Sequence, residues 1–186
     1  MDLIIIFFTT FVSALFSSMS GGGTNAINVP VFLALGMPVP LALSVVSTNS
    51  VFWVLPAARN YLKGRKIDWK FLIIFSLIGL IGTYLSIKFI LGLNQRTFEL
   101  IVGPLIIFFA GYTYFKKELG LTEHKIYSRA RQMFAYPFAL LLGFYENAFG
   151  AGNALAFSLI TFYTRGFDFI DALGHYYAVA FPWVVF

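Results

Sequence analysis

From Leu3 to Ala58 no charged residue interrupts the chain, and further apolar runs cover 71–93, 98–115, 133–149 and 170–186. A helix needs about 20 apolar residues to cross the hydrocarbon core of a bilayer. The stretches 3–19 and 38–58 and the four later runs approach or exceed that length. Two apolar pieces do not: 26–35 and 154–163 would each reach roughly 15 Å, half a bilayer. Each follows a glycine-rich interruption, Gly21-Gly22-Gly23-Thr24-Asn25 in one case and Gly150-Ala151-Gly152-Asn153 in the other. The pattern predicts an all-α, polytopic membrane protein with two related halves, each holding a break and a half-length helix. Residues 1–115 read as the first membrane repeat, 116–132 as a cytoplasmic basic loop, and 133–186 as an incomplete second repeat. A full second half would need two more spans, so the chain reads as cut short.

The punctuation of the short helices repeats. Asn25 or Asn28 is expected to cap the first, with Pro30 in its opening turn and Gly36-Met37-Pro38 as its stop. Asn153 is expected to cap the second and Gly166 to stop it. Six residues beyond each stop glycine comes an alanine, Ala42 or Ala172, and then a polar cluster: Ser47-Thr48-Asn49-Ser50 or His175-Tyr176. In the span 71–93, Gly79, Gly82 and Ser86 share one helix face and are expected to let another helix approach closely. Trp53, Tyr61, Trp69, Tyr112 and Tyr114 fall where interfacial rings anchor spans.

Composition sharpens the class. Only 11% of the residues are charged, against about 25% in soluble domains, so the chain belongs in lipid. Ten of the thirteen Lys and Arg residues lie in two segments, Arg59–Lys70 and Lys116–Arg131. That is the distribution of cytoplasmic loops, and it offers no contiguous basic face for nucleic acid. The absence of cysteine excludes disulfides, thiolate metal sites and thiol catalysis. Met1-Asp2 offers no basic start of a secretory signal. Lys88 and Arg165 are expected to snorkel from span ends, and Asp168 and Asp171 to favour the start of the last span.

The breaks carry the candidate chemistry. A glycine tract can turn successive N–H groups toward one point, and a half-helix N-terminus adds its positive dipole end. Together they can hold an anion without a fixed cation. The alternative is that the glycines serve close packing and the asparagines satisfy broken-helix carbonyls. The functional reading places a midplane anion site between the breaks, with Gly21, Gly22, Gly23, Thr24, Asn25 and Asn28 on one side. Asn147, Gly150, Gly152 and Asn153 stand on the other, with Thr48, Asn49 and His175 lining it. Glu146 is the only charged residue between Gln132 and Thr164. It is either a proton-coupling carboxylate or a hydrogen-bonder of the local break. His175 is either a donor to the solute or a packed histidine. An enzyme is disfavoured: no G-x-S-x-G elbow, H-E-x-x-H or paired-aspartate motif is present, and no cofactor or metal is expected.

These same stretches resemble the sulfite exporter TauE/SafE family, also called the toluene-sulfonate uptake permease group. The first half matches through Ser20-Gly21-Gly22-Gly23, Val29-Pro30, Leu35-Gly36-Met37, Thr48-Asn49 and Arg65-Lys66-Ile67-Asp68-Trp69. The second matches through Gly143–Gly152, Gly166-Phe167 and Ala172 to His175. The resemblance implies a helical permease for a small sulfur-containing anion, sulfite or an organosulfonate, passing several times through a bacterial cytoplasmic membrane. Its implied partners are the lipid bilayer and a small anionic solute. Oligomeric state and direction of transport stay open, as does the alternative of a non-transporting membrane subunit or inactive remnant.

Overall fold

Helix boundaries follow the residues that cap, stop or cannot continue a helix. The computed structural model describes residues 2–21, 23–115 and 127–186. Among them the order is α1 (Asp2–Ser20), α2 (Thr24–Ala34), α3 (Val39–Leu62), α4 (Trp69–Leu91), α5 (Gln95–Phe115), α6 (Arg129–Met133), α7 (Tyr136–Ala148), α8 (Asn153–Arg165) and α9 (Phe169–Val185). Asp68 caps α4 by accepting from the Phe71 N–H at 3.0 Å, and Asp168 caps α9 by accepting from that of Asp171 at 2.6 Å. Gly166 ends α8 in the left-handed conformation, φ 74°, which an L side chain adopts only at a cost.

Length separates two kinds of helix. At 24 and 23 residues, α3 and α4 are each about 35 Å long and can cross a bilayer. At 11 and 13 residues, α2 and α8 reach only about 17–20 Å. The run 133–149, expected as one span, gives a shorter helix: α6 stops at Met133 and the 13-residue α7 begins only at Tyr136. Pro137 stands in the first turn of α7, where its missing N–H is harmless. Continuing the preceding helix through it would cost a hydrogen bond and a clash. The expected loop 116–132 therefore runs into a short helix. Its Lys116, Lys117 and Lys125 lie outside the described residues.

The tightest packing is backbone on backbone. A Cβ placed on Gly82 would lie 2.7 Å from Phe144 N, and one on Gly143 would lie 2.7 Å from the Cα of Gly79. So α4 and α7 touch along a glycine seam, as the spacing of Gly79 and Gly82 predicts. Thr83 Oγ1 donates to Gly143 O across it at 3.3 Å. Trp183 of α9 lies over Gly79 and donates from Nε1 to Ser76 O at 2.9 Å. One buried cluster holds Phe71, Phe75, Phe157, Tyr177 and Trp183; a second holds Val29, Phe32, Val46, Phe98 and Phe149. Trp53 and Tyr61, expected at the lipid interface, instead pack on Tyr177 with ring centroids 5.6 and 5.8 Å away.

Large apolar side chains also cover the outside. Leu3, Phe7, Phe8, Phe11 and Phe16 are exposed on α1, as are Phe52 on α3, Leu77 and Ile81 on α4, and Ile107 on α5. Such a surface is an interaction liability in water and the ordinary exterior of a helix in lipid. The protein is a membrane protein.

Candidate functional site

Each break is a place where one helix ends, glycine redirects the chain, and a short helix begins. In the first, α1 ends at Ser20, and Gly21 and Gly23 take φ values of 87° and 120° before Thr24. Gly22 lies outside the described residues. In the second, α7 ends at Ala148, and Gly150 and Gly152 take φ values of 62° and 77° before Asn153. The glycines Gly23 and Gly152 themselves occupy the N-cap positions, without a side-chain cap. Asn25, Asn28 and Asn153 are thus not caps; they lie inside the helices. The chain reaches helical φ and ψ sooner than expected, since glycine supplies the turn alone.

The two breaks touch. A Cβ on Gly150 would fall 2.7 Å from Asn25 Cγ, and one on Gly21 would lie 3.1 Å from the Cβ of Ala154, in the first turn of α8. Gly21, Asn25, Gly150 and the start of α8 therefore form one locus, although 125 positions separate Asn25 from Gly150.

Tyrosines occupy the carbonyl side of this locus. The last four C=O groups of a helix have no intrahelical partner. At the end of α1, Tyr177 donates to Ser17 O at 2.6 Å and Tyr61 to Ser18 O at 2.9 Å. At the second break Tyr145 donates to Ala151 O at 2.6 Å. The hydroxyls thus meet carbonyls at the end of α1, where Ser17 O also accepts from the Gly21 N–H at 3.1 Å, and one carbonyl in the turn between α7 and α8. The first-turn N–H groups of α2 and α8 lack intrahelical partners by construction. What the locus offers a solute is N–H, the polarity that favours an anion.

Buried polar side chains surround it. Asn28, one turn into α2, is fully buried, and neither its Nδ2 nor its Oδ1 finds a hydrogen-bond partner. Thr24 is buried on the same face. Asn153 Nδ2 donates to Leu142 O at 3.2 Å and makes a short bond to Glu146 Oε2, while its Oδ1 is buried and unpartnered. Tyr176 also donates to Glu146 Oε2, at 2.7 Å. Glu146 thus hangs on the helix that starts at the break and on α9. The sequence reading missed the donor role of Tyr176, Tyr177, Tyr145 and Tyr61. Hydroxyl-bearing rings within apolar helices, where phenylalanine would serve packing alone, were the available signal.

Other candidate residues are drawn elsewhere. His175 is buried away from the glycines, with Nδ1 donating to Asp171 O at 2.7 Å and Nε2 accepting from the Asp68 N–H at 3.2 Å. Both ring nitrogens are engaged by helix ends, and Phe167 covers the ring at 4.4 Å. Thr48 donates to Ser44 O at 2.8 Å and lines, with Ser47 and Asn147, a cavity of about 430 Å³ between α3, α4, α7 and α9. Asn147 Nδ2 donates to Trp183 O at 3.2 Å. Asn49 keeps a buried Nδ2 without a partner.

At the helix ends two Arg-x-x-Asp sequences exchange partners. Arg65 bonds Asp168 at 3.0 Å and Asp171 at 2.6 Å, whereas Arg165 bonds Asp68. Hydrogen bonds to Asp171 and then Asp168 raise the Arg65 guanidinium further above its ordinary value. Arg165, expected to snorkel, is instead 7% exposed, with Phe71 under its guanidinium at 3.9 Å. The carboxylate across the loop holds it inside. Asp168 and Asp171 therefore serve this exchange as well as the start of α9.

Two helices of membrane length and a lipid-like exterior mark a helical membrane protein. The sequence profile described as sulfite exporter TauE/SafE matches residues 6–186. The chain belongs to that family. It is 26% identical over 173 residues to a "Probable membrane transporter protein" of Haemophilus influenzae, covering 93% of this chain and 67% of the relative. Identity to "Probable membrane transporter protein YfcA" of Escherichia coli K12 is 24% over 180 residues, covering 92% and 63%. To "Probable membrane transporter protein ORF9" of a Sinorhizobium species it is 25% over 174 residues, covering 93% and 66%. The chain spans about two thirds of the length of these relatives. No solved structure matches it.

Proposed function

We propose that the chain is part or all of a non-enzymatic permease that moves a small sulfur-containing anion, sulfite or an organosulfonate, across a bacterial cytoplasmic membrane. In this reading residues 1–115 and 133–186 are related membrane repeats, each crossing the bilayer with a broken segment, and 116–132 faces the cytoplasm. The observation that carries it is the meeting of the two breaks, Gly21 against Ala154 and Gly150 against Asn25, where both short helices begin. Helix N-termini of α2 and α8 then supply the positive potential, Thr24, Asn25 and Asn28 supply neutral donors, and Asn153 holds Glu146 beside them. Half-helix ends meeting in mid-membrane are the usual construction of a transporter's site.

Glu146 is the coupling group of this reading. A carboxylate beside the locus repels an incoming anion at low dielectric. Its proton and the solute therefore bind best together, which joins anion movement to proton movement. The test is flux of labelled sulfite in proteoliposomes carrying the chain, with and without an imposed pH gradient. Uptake that is saturable, blocked by excess unlabelled anion and driven by the gradient supports the permease. Insertion into the vesicles without any flux overturns it for this chain.

A further inference from the structure

A second basic feature lies away from the breaks, at the end of the molecule where α4 begins and α8 finishes. Asp68, Lys70, Arg129, Gln132, Tyr136 and Arg165 surround a cavity of about 530 Å³. Its lining carries three cations against one carboxylate. Lys70 and Arg129 are exposed on the rim, so their charges remain available. Arg165 forms the inner wall: its Nη1 is held by Asp68 and its Nη2 donates to Tyr136 at 3.3 Å. Its buried Nε has no partner. A desolvated N–H on a fixed guanidinium is expensive to leave unpaired and is well suited to a phosphate oxygen.

The surroundings favour a lipid as the source of that oxygen. Met133 lines the cavity and Trp69 and Phe134 adjoin lining residues in sequence; they are 66%, 65% and 68% exposed. Apolar rings and a thioether beside a basic rim suit the boundary between headgroups and acyl chains. Lys70 comes from the first basic segment and Arg129 from the second, so a cation of each meets at this cavity. Basic pockets between helices are suited to anionic headgroups.

We propose that this cavity binds the phosphate of an anionic phospholipid headgroup, with Lys70 and Arg129 drawing it in and Arg165 Nε anchoring it. The site is separate from the solute locus and independent of what the permease carries. The test uses the full chain in neutral detergent, titrated with phosphatidylglycerol, phosphatidylcholine or inorganic phosphate, and read by native mass spectrometry and thermal midpoint. Phosphatidylglycerol is expected to be retained and to raise the midpoint, and phosphatidylcholine to do neither. The double variant Lys70→Gln/Arg129→Gln, both on exposed side chains, should weaken phosphatidylglycerol binding about 30-fold, from the usual worth of two membrane-facing cations. Arg96→Gln, which removes one charge elsewhere, should leave it unchanged. Protection by inorganic phosphate alone, lost in the double variant, supports the oxyanion site and assigns it to a soluble phosphate. Equal binding of the two lipids, or undiminished phosphatidylglycerol binding in the double variant, overturns the proposal.

Discussion

The carboxamide of Asn25 occupies the space that a side chain on Gly150 would need, with Cγ 2.7 Å from where a Cβ would stand. The first break is thus built into the second. Gly150→Ala introduces both this clash and an L residue at φ 62°. It should destabilise the protein by more than about 1 kcal/mol and strongly reduce sulfite flux. Adding Asn25→Ala removes the clash but not the strain, so thermal stability should recover in part. A double variant no more stable than Gly150→Ala alone would mean that the contact between the breaks is not what constrains the glycine.

Asn28 separates stability from transport. A buried carboxamide with no partner costs about 1–3 kcal/mol, and a leucine of similar size at that position removes the cost. Asn28→Leu should therefore raise the thermal midpoint in detergent while abolishing flux. Retained flux would take Asn28 out of the solute's path.

For Glu146 the informative comparison is with Tyr176. Glu146→Gln should leave a flux that no longer responds to an imposed proton gradient. Tyr176→Phe deletes one hydrogen bond to a charged acceptor, worth about 1.5–3 kcal/mol. It should slow flux while preserving its response to the gradient. Proton-driven uptake by Glu146→Gln would remove the carboxyl from coupling.

The exchanged ion pairs should be of comparable strength. Arg165 is 7% exposed but its partner Asp68 is 39% exposed, and Arg65 is 33% exposed against 28% for Asp168 and 11% for Asp171. Neither pair is fully withdrawn from solvent, and partly solvated pairs are worth about 1 kcal/mol or less each. Arg165→Gln and Arg65→Gln should each lower the thermal midpoint modestly, and high salt should shrink both losses. A loss several times larger for one of them would mean that its pair is shielded from solvent.

Features written in local sequence were legible; features made by distant partners were not. Glycine-rich interruptions, the half-length helices, Gly166 as a stop and the Gly79–Gly82 seam all follow from composition and helical spacing. The capping roles given to Asn25, Asn28 and Asn153 failed because glycine already occupies each N-cap, which leaves Asn25 against Gly150, Asn153 on Glu146 and Asn28 buried without a partner. His175 looked like a site residue because it follows Gly166 as Thr48 and Asn49 follow Gly36. Its ring is instead claimed by Asp68 and Asp171, residues that spacing cannot pair with it. Arg165 looked like a snorkelling cation until Asp68 came across from another loop. The late start of α7 was marked in the sequence by Pro137 but hidden by the uniform hydropathy around it.

The hydroxyls of Tyr61 and Tyr177 set a condition on how the first break can move. They come from α3 and α9, yet they serve carbonyls at the end of α1. Ser17 O also has the Gly21 N–H at 3.1 Å, whereas Ser18 O is reached by Tyr61 and, at 3.4 Å, by Tyr177. Lipid offers Ser18 O no replacement for both hydroxyls, so the end of α1 can leave one of these helices but not both, unless water enters behind it.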